Sequence, residues 1–398
     1  MNLKLIFISI LLLLSYFSTA QKSEKKDSVN LRKSPLQISY GDKGWQFEYN
    51  KSYMMQMQWR IQSRYMHHTQ DAQFTIPEED SNDQSFNLQR VRLKVGGYAF
   101  QPYIDYYFEY DFPSNNLLNA VLTIKKYKAL QFKVGQWKLE YNTERYVSSG
   151  KQQLVDRSIS NRFFTLDRQI GLMLLGDIFE NRAAYSSYNL GIFNGNGRGM
   201  QNDDGQFLFL ARYQFNLWKR KLKKSFCDLE RTQKPEGFIA LSYVYNESHY
   251  TSFSSNGGGQ LPGYVYDENQ FFRIQQYNLE LMFKYKGFSF SSENHFKDIY
   301  NLKDQEYSQI WGGYLMSGYF FSEIISFVPK ALELTARYAR ISNPSFFTKD
   351  ISEYTVGANW FFNKHLNKLT VDFSYIQNQD FVRQEDNFRF RIQWDISF

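Results

Sequence analysis

The chain of 398 residues contains a single cysteine, Cys227. One thiol closes no intramolecular disulfide, so the stability of a chain of this length must come from main-chain hydrogen bonding and packing. Beyond residue 20 there is no long apolar run, and the mean hydropathy is −0.55. That profile would ordinarily point to a soluble protein. Metal-ligand spacings, a phosphate-cradling glycine loop, nucleic-acid motifs and a nucleophile motif are also missing, which argues against a cofactor, a metal, a nucleic-acid partner and an enzyme. Gly257-Gly258-Gly259 reads as a flexible loop tip.

The first twenty residues change the picture. MNLKLIFISILLLLSYFSTAQ carries Lys4, an apolar core over Leu5–Leu14 and the small residues Ser18 and Ala20 before Gln21. This is the pattern of a cleaved secretory signal peptide over residues 1–20, and its core is too short for the roughly 20 apolar residues of a membrane span. Residues 21–44 are polar and without apolar period, and are expected to be a flexible N-terminal segment. The net charge of +7 implies only a weak preference for anionic partners.

From Trp45 onward the texture is alternation. In MQMQWRIQSRY, Met55, Met57, Trp59, Ile61 and Tyr65 oppose Gln56, Gln58, Arg60, Gln62 and Arg64; a period of two is a β-strand with two unlike faces. QRVRLKV opposes Val91, Leu93 and Val95 to Arg90, Arg92 and Lys94, and NFRFRIQWDISF opposes Phe388, Phe390, Ile392 and Trp394 to Arg389, Arg391, Gln393 and Asp395. Such strands suit either a soluble sandwich or the wall of a membrane barrel. Three features favour the barrel. The segments run to ten residues or more, the length needed to cross the hydrocarbon layer. Their apolar faces are free of charge, as expected where an arginine facing lipid would cost roughly 2–4 kcal/mol. Aromatic residues such as Tyr110, Phe112 and Trp394 fall near strand ends, where interfacial girdles lie.

Candidate strands fall near 54–66, 86–98, 103–112, 119–127, 129–137, 168–176, 185–194, 206–218, 236–247, 271–285, 286–297, 308–321, 331–341, 353–362, 368–378 and 387–398. The expected fold is therefore an all-β, transmembrane antiparallel barrel of about 16 strands over residues 45–398. Gaps after odd strands (67–85, 138–167, 248–270) are long, and gaps after even ones (99–102, 363–367) are short. That is the asymmetry of outward loops and periplasmic turns. The basic stretch 219–235 is the exception. The barrel and the signal peptide together predict the outer membrane of a Gram-negative-type bacterium, with outer-membrane lipid against the apolar face and a water-filled lumen against the polar one.

Arg60, Arg64, Arg90, Arg92, Lys94, Arg389 and Arg391 lie on the polar faces of the first, second and last strands, which become neighbours when the barrel closes. They would form one basic patch suited to anions. The alternative is that they pair with Asp105, Glu109, Asp111 or Asp395 to stiffen the wall. The longest gap, 138–167, adds Lys138, Arg145, Lys151, Arg157 and Arg162 against Glu140, Glu144 and Asp156, with Arg168 just beyond; a loop of this length can fold inward and narrow a pore. Tyr103, Tyr107, Tyr243 and Tyr245 are expected inside, as a surface for sugar rings or as wall packing. Of the histidines, His67, His68 and His249 fall in loops with Asp71 near the first two, a thin basis for a barrel hydrolase.

Four short motifs, in order, carry a resemblance: FNLQRVRLKVGG at 86–97, KVGQWK at 133–138, VDRS at 155–158 and DRQIG at 167–171. On these the chain, loosely from Trp45 to Phe398, resembles the phosphate-selective porin O/P family. It departs from the family pattern in lacking a proline after Gln136-Trp137-Lys138, in Asp156 for glutamate and in the order Asp167-Arg168. The resemblance implies a sixteen-stranded barrel, commonly a homotrimer, with an inward-folded third extracellular loop and a ladder of basic residues at the eyelet. The terminal Phe398 with its alternating aromatics resembles the signal read by the barrel assembly machinery. The expected function is an outer-membrane porin passing small hydrophilic solutes with a mild preference for anions, phosphate among them; a sugar-selective porin and an outer-membrane hydrolase are the alternatives.

Overall fold

Alternating side chains give a strand two usable faces, and a ring of such strands leaves no backbone edge exposed to lipid. The computed structural model, which describes residues 35–68, 84–255, 257–342, 350–378 and 387–398, forms such a ring. The proposed signal peptide, Asp71 and the first part of the expected leader lie outside the described residues.

A short hairpin, β1 (Leu36–Gly41) and β2 (Gly44–Tyr49), precedes β3 (Tyr53–His68), β4 (Gln84–Tyr98), β5 (Ile104–Asp111), β6 (Asn116–Tyr127), β7 (Leu130–Lys138), β8 (Arg168–Ile178), β9 (Ser186–Phe193) and β10 (Leu208–Asn216). Then come β11 (Glu236–Ser248), the minor pair β12 (Ser252–Ser255) and β13 (Gly257–Gly259), β14 (Phe272–Tyr285), β15 (Phe288–Asn301), β16 (Tyr307–Tyr319), β17 (Leu332–Ser342), β18 (Ile351–Asn363), β19 (Asn367–Asn378) and β20 (Asn387–Ser397). Setting β1, β2, β12 and β13 aside, the remaining sixteen pair antiparallel in chain order and close where β20 meets β3, with Ile396 opposite Ile61 and Arg391 opposite Met66. Phe398 and Trp59 exchange backbone hydrogen bonds of 3.0 and 2.8 Å at the end of this seam. No helix among the described residues is long and apolar enough to cross a membrane, a test that does not bear on strands.

Tight turns fix the register at the end where β3 begins and β20 finishes. Lys286 and Gly287, at φ of 45° and 80°, form the two-residue turn between β14 and β15, where both central residues must be left-handed to match the strand twist.

The two faces differ as the alternation predicts. Arg60, Gln62, Arg391 and Asp395 are buried, whereas Phe388, Trp394, Leu279 and Leu281 are exposed. In a chain whose ionic groups are inside and whose oily groups are outside, the outer medium is lipid.

Two expectations need correction. Residues 36–41, within the segment expected to be flexible, form β1; it pairs with β2, which takes over the edge of β3 at Tyr53–Met57, where β20 has already ended. The Gly257–Gly259 tip is the strand β13. A β-carbon on Gly258 would lie 2.1 Å from the Tyr250 ring, so glycine is needed there for packing.

Candidate functional site

The segment between β7 and β8 has only two one-turn α-helices, Thr143–Tyr146 and Ser160–Phe164, and a 3-10 turn, Ser149–Lys151, and so must find partners for most of its backbone elsewhere. Side chains of the wall supply them. Carboxylates accept its N–H groups: Glu280 from Thr143 (3.2 Å), Glu293 from Glu144 (2.6 Å), Asp372 from Val155 (2.9 Å) and Glu353 from Ile159 (2.8 Å). Cations and amides donate to its carbonyls: Lys368 to Gln152 (2.6 Å), Asn359 to Gln153 (2.7 Å), Arg337 to Asp156 (2.8 Å) and Gln276 to Phe164 (2.9 Å). All eight wall residues belong to β14–β19.

An apolar core accompanies these bonds. Leu139, Tyr141, Leu154, Phe163 and Phe164 pack with Ile274, Ile299, Tyr314, Met316 and Ile341 of the wall, and Phe164 stacks on His295 with ring centroids 4.9 Å apart. The expectation of an inner face wetted all round is therefore wrong for this half. It also misplaces two tyrosines: Ala240, Ser242, Val244 and Asn246 of β11 are buried, and Tyr243 lies on the lipid-side face, against Tyr277, with Tyr245 sharing its parity. Polar-face parity is hard to read where the inner residues are themselves apolar.

On β3–β8 the inner face is charged. Arg60 forms a two-pronged pair with Asp395, Nε to Oδ1 at 2.9 Å, and also donates to Ser148 and Ser149. Arg64 meets Asp156 at 2.8 Å, Arg92 bridges Glu109 (3.1 Å) and Asp111 (3.2 Å), and Arg391 holds Asp372 at 2.7 Å and Asp156 at 3.2 Å. Asp167 takes both Arg145 (2.6 Å) and Arg168 (3.2 Å). The guanidinium groups hold the carboxyls of Asp156 and Asp167 well below the usual range against the opposing effect of burial. Asp105, expected as an arginine partner, pairs with Lys125.

The remaining cations of the basic set differ. Among the described residues no carboxylate lies within 4 Å of the charged groups of Arg90, Lys94, Lys138, Lys151, Arg157 or Arg389. Arg90 donates to Gln62 (2.7 Å), Lys94 to Gln58 (3.5 Å) and Lys138 to the carbonyl of Arg145 (3.3 Å). Arg157 is held by three carbonyls, those of Glu144, Arg145 and Val147. Burial, and then the neighbouring Arg145, lowers its hold on the proton. Arg162, on the second one-turn helix, is half-buried. Lys94, Lys138 and Lys151, with Arg60, Arg92 and Tyr107, line a cavity of about 870 Å³ that extends to the end where β3 begins and β20 finishes.

The basic stretch 219–235 also reaches this cavity. Leu222, Phe226 and Cys227 are buried, the N–H of Phe226 donates to the carbonyl of Lys151, and Asp228 accepts the N–H groups of Thr232 and Gly287. Much of its charge is neutralised locally, Lys221 by Asp177, Lys223 by Glu230 and Arg231 by Glu323. Lys224 lies 3.9 Å above the Tyr146 ring and lines the cavity. Sequence reading missed it, although its place in KRKLKK marked the stretch as unusual. Among the described residues no three or more His, Cys, Asp or Glu side chains are grouped to hold a metal.

Comparison with known proteins follows the geometry. The family described as phosphate-selective porin O and P matches residues 60–388. The anion-selective porin from Comamonas acidovorans superposes with a TM-score of 0.59 at 8% identity, covering 86% of this chain and 99% of that one. The loop L8 deletion mutant of OmpT, an outer membrane protein of Vibrio cholerae, gives 0.59 at 10% identity, covering 87% and 100%. The outer membrane channel DcaP of Acinetobacter baumannii gives 0.53 at 10%, covering 87% and 98%. At such identities the likeness establishes the fold alone. No curated protein matches the chain.

Proposed function

This chain belongs to the phosphate-selective porin O and P family, and from that premise we propose that it is a passive channel of the outer membrane that favours small anions, phosphate among them. Porins of this family are channels and not catalysts. The barrel, with its ionic interior and oily exterior, is that of a bacterial outer-membrane porin. In this reading the segment 139–167 is an inward constriction loop, the termini face the periplasm, and the route for solute runs along β3–β8.

The observation that carries the anion preference is the set of cations without a carboxylate partner among the described residues: Arg90, Lys94 and Lys138 on β3–β8, Lys151 and Arg157 on the segment facing them, and Arg389 on the adjoining β20. Arginines already in two-pronged ion pairs add little to the field in the pore, because their carboxylates cancel it within a few ångströms. Unmatched cations attract an anion and replace part of its hydration, and their separation along the wall lets it move on. Homotrimer formation and delivery by the barrel assembly machinery complete the proposal.

Reconstitution in a planar bilayer under a KCl gradient tests it. The reversal potential is expected to favour chloride, with the current reduced by added phosphate. A preference for potassium rules the proposal out.

A further inference from the structure

The segment 219–235, KRKLKKSFCDLERTQKP, joins β10 to β11 and is far longer than the two-residue turn that joins β14 to β15. Its path is fixed by contacts with other elements. Trp218 and Lys219, at φ 53° and 59°, turn the chain off the wall, and Leu222 and Phe226 then enter the same apolar core as Val147 and Leu154 of the segment 139–167. Lys284 of β14 donates to the Lys223 carbonyl at 3.3 Å and to Ser225 Oγ at 2.9 Å. At the tip Cys227 packs with Phe320 and Phe361, and its Sγ lies 3.4 Å from Nε2 of His365 in the turn between β18 and β19. The return leg is tied to two further connections. Lys286 donates its N–H to the Thr232 carbonyl at 2.9 Å, and Arg231 donates to the Lys330 carbonyl at 2.7 Å. The segment thus leaves the wall at β10 and is anchored as far round as the turn between β18 and β19, along the strands that carry the packed half.

Its remaining contacts are with the segment 139–167. The N–H of Phe226 donates to the Lys151 carbonyl at 3.3 Å, and Lys224 Nζ lies 3.9 Å from the centre of the Tyr146 ring. The turn 148–151 is held by β3 as well, since Arg60 donates to the hydroxyls of Ser148 at 3.2 Å and Ser149 at 3.1 Å. A β-carbon on Gly150 would lie 2.7 Å from Arg60 Nη2, so this turn rests directly on the guanidinium. Arg60, Lys151 and Lys224 all line the 870 Å³ cavity.

We propose that the segment 219–235 is a second width-determining element of the pore: it fixes how far the turn 148–151 projects over Arg60 into the solute route and closes the lumen along the packed half, with Phe226 as its positioning residue. The inference rests on the reading of 139–167 as a constriction loop. A stretch with so few backbone bonds of its own keeps its position only through outside contacts, and those from 219–235 reach it at the turn that borders the route.

Exclusion of neutral polyethylene glycols of graded size, read from single-channel conductance at high salt, tests the proposal, with heat-modifiable migration as the control for folding. High salt screens the charges, so the readout is width. Replacement of residues 222–227 by a Gly-Ser linker of equal length keeps β10 and β11 joined and removes the anchors. The exclusion limit is expected to shift to larger polymers and the conductance to rise. Phe226→Ala is the milder variant. In it Cys227 should react with a polar maleimide at least about tenfold faster than in the wild type, because loss of a buried ring lets the segment open, and the exclusion limit should shift in the same direction. An unchanged limit in the folded linker variant, or in Phe226→Ala once Cys227 reacts, overturns the inference and leaves the channel reading intact. Cys227 as shielded in Phe226→Ala as in the wild type also overturns it, since the anchor then lies elsewhere. A wild-type barrel without conductance overturns the channel reading itself.

Discussion

The two halves of the inner wall use the same ionisable residues for opposite ends. On β14–β19, Glu280, Glu293, Glu353, Asp372, Arg337 and Lys368 each meet a backbone N–H or carbonyl of the segment 139–167. Their charges stand in for the sheet partner that an irregular segment lacks. On β3–β8 most charges meet one another or have no carboxylate partner, and only Arg64 and Lys138 also reach carbonyls of the segment, those of Val155 and Arg145. A buried ionic residue in this barrel is therefore a scaffold element or a pore element according to what it faces, and side-chain type alone does not distinguish them.

The comparison breaks most visibly on the scaffold side. Asp372 joins two structures at once, accepting both the N–H of Val155 and two donors of Arg391. Asp372→Ala leaves Arg391 with Asp156 and the Ser374 hydroxyl, and Val155 without its acceptor. Removal of one partner from a buried ion pair costs about 3–5 kcal/mol. A lower unfolding temperature, together with a larger and noisier single-channel conductance as the segment loosens, is the expected result.

Arg92 tests the boundary between the halves, since it is a paired cation on the pore side. Arg92→Met strands Asp111 and leaves Glu109 with Arg168 at 3.8 Å and the donors Asn119 and Tyr107, and the expected outcome is a loss of about 2–4 kcal/mol in thermal or denaturant unfolding. The inner wall would also lose one cation and gain the unmatched carboxylate of Asp111, so the reversal potential should move towards potassium. Lys138→Met, by contrast, removes an unmatched charge. Its unfolding temperature is expected to stay near wild type, because the lost bond is a single one to a carbonyl, while the chloride-to-potassium permeability ratio falls about threefold. If Lys138→Met proves as destabilising as Arg92→Met, the division into paired and unmatched cations is wrong.

The division was only partly legible in the sequence. All sixteen barrel strands could be read, because period-two alternation survives wherever one face meets lipid: the segment expected at 286–297 is Phe288–Asn301, and that at 206–218 is Leu208–Asn216. The polar-face position of Arg60, Arg92 and Arg391 was readable for the same reason. Their partners were less so. Asp156 joins Arg64 to Arg391 from within an irregular segment, and nothing in local spacing places it there. Tyr243 was put on the wrong face because β11 buries Ala240 and Val244 against other apolar groups, which erases the contrast between faces.

The smallest expected effect belongs to Lys224, which sits where the unmatched cations of the open half approach the periplasmic end. Burial draws its pKa down to about 8; Glu140 opposes that shift, while Arg212 adds to it, and Asp177 contributes weakly in the other direction. The sign follows from the lowered value: the ammonium is charged at pH 7, half charged near pH 8 and neutral by about pH 9.5, where an ordinary lysine would still be charged. One cation at the wide end of the route, partly shared with the Tyr146 ring, moves the permeability ratio less than one at the narrowing. Chloride preference measured at low salt should therefore fall by less than about twofold between pH 7 and 9.5, with its midpoint near pH 8. In Lys224→Met the preference at pH 7 should already equal the wild-type value at the higher pH, and the step should vanish. A step that persists in Lys224→Met would assign the titration to another group and remove Lys224 from the route, while the stability of the packed half would be unaffected.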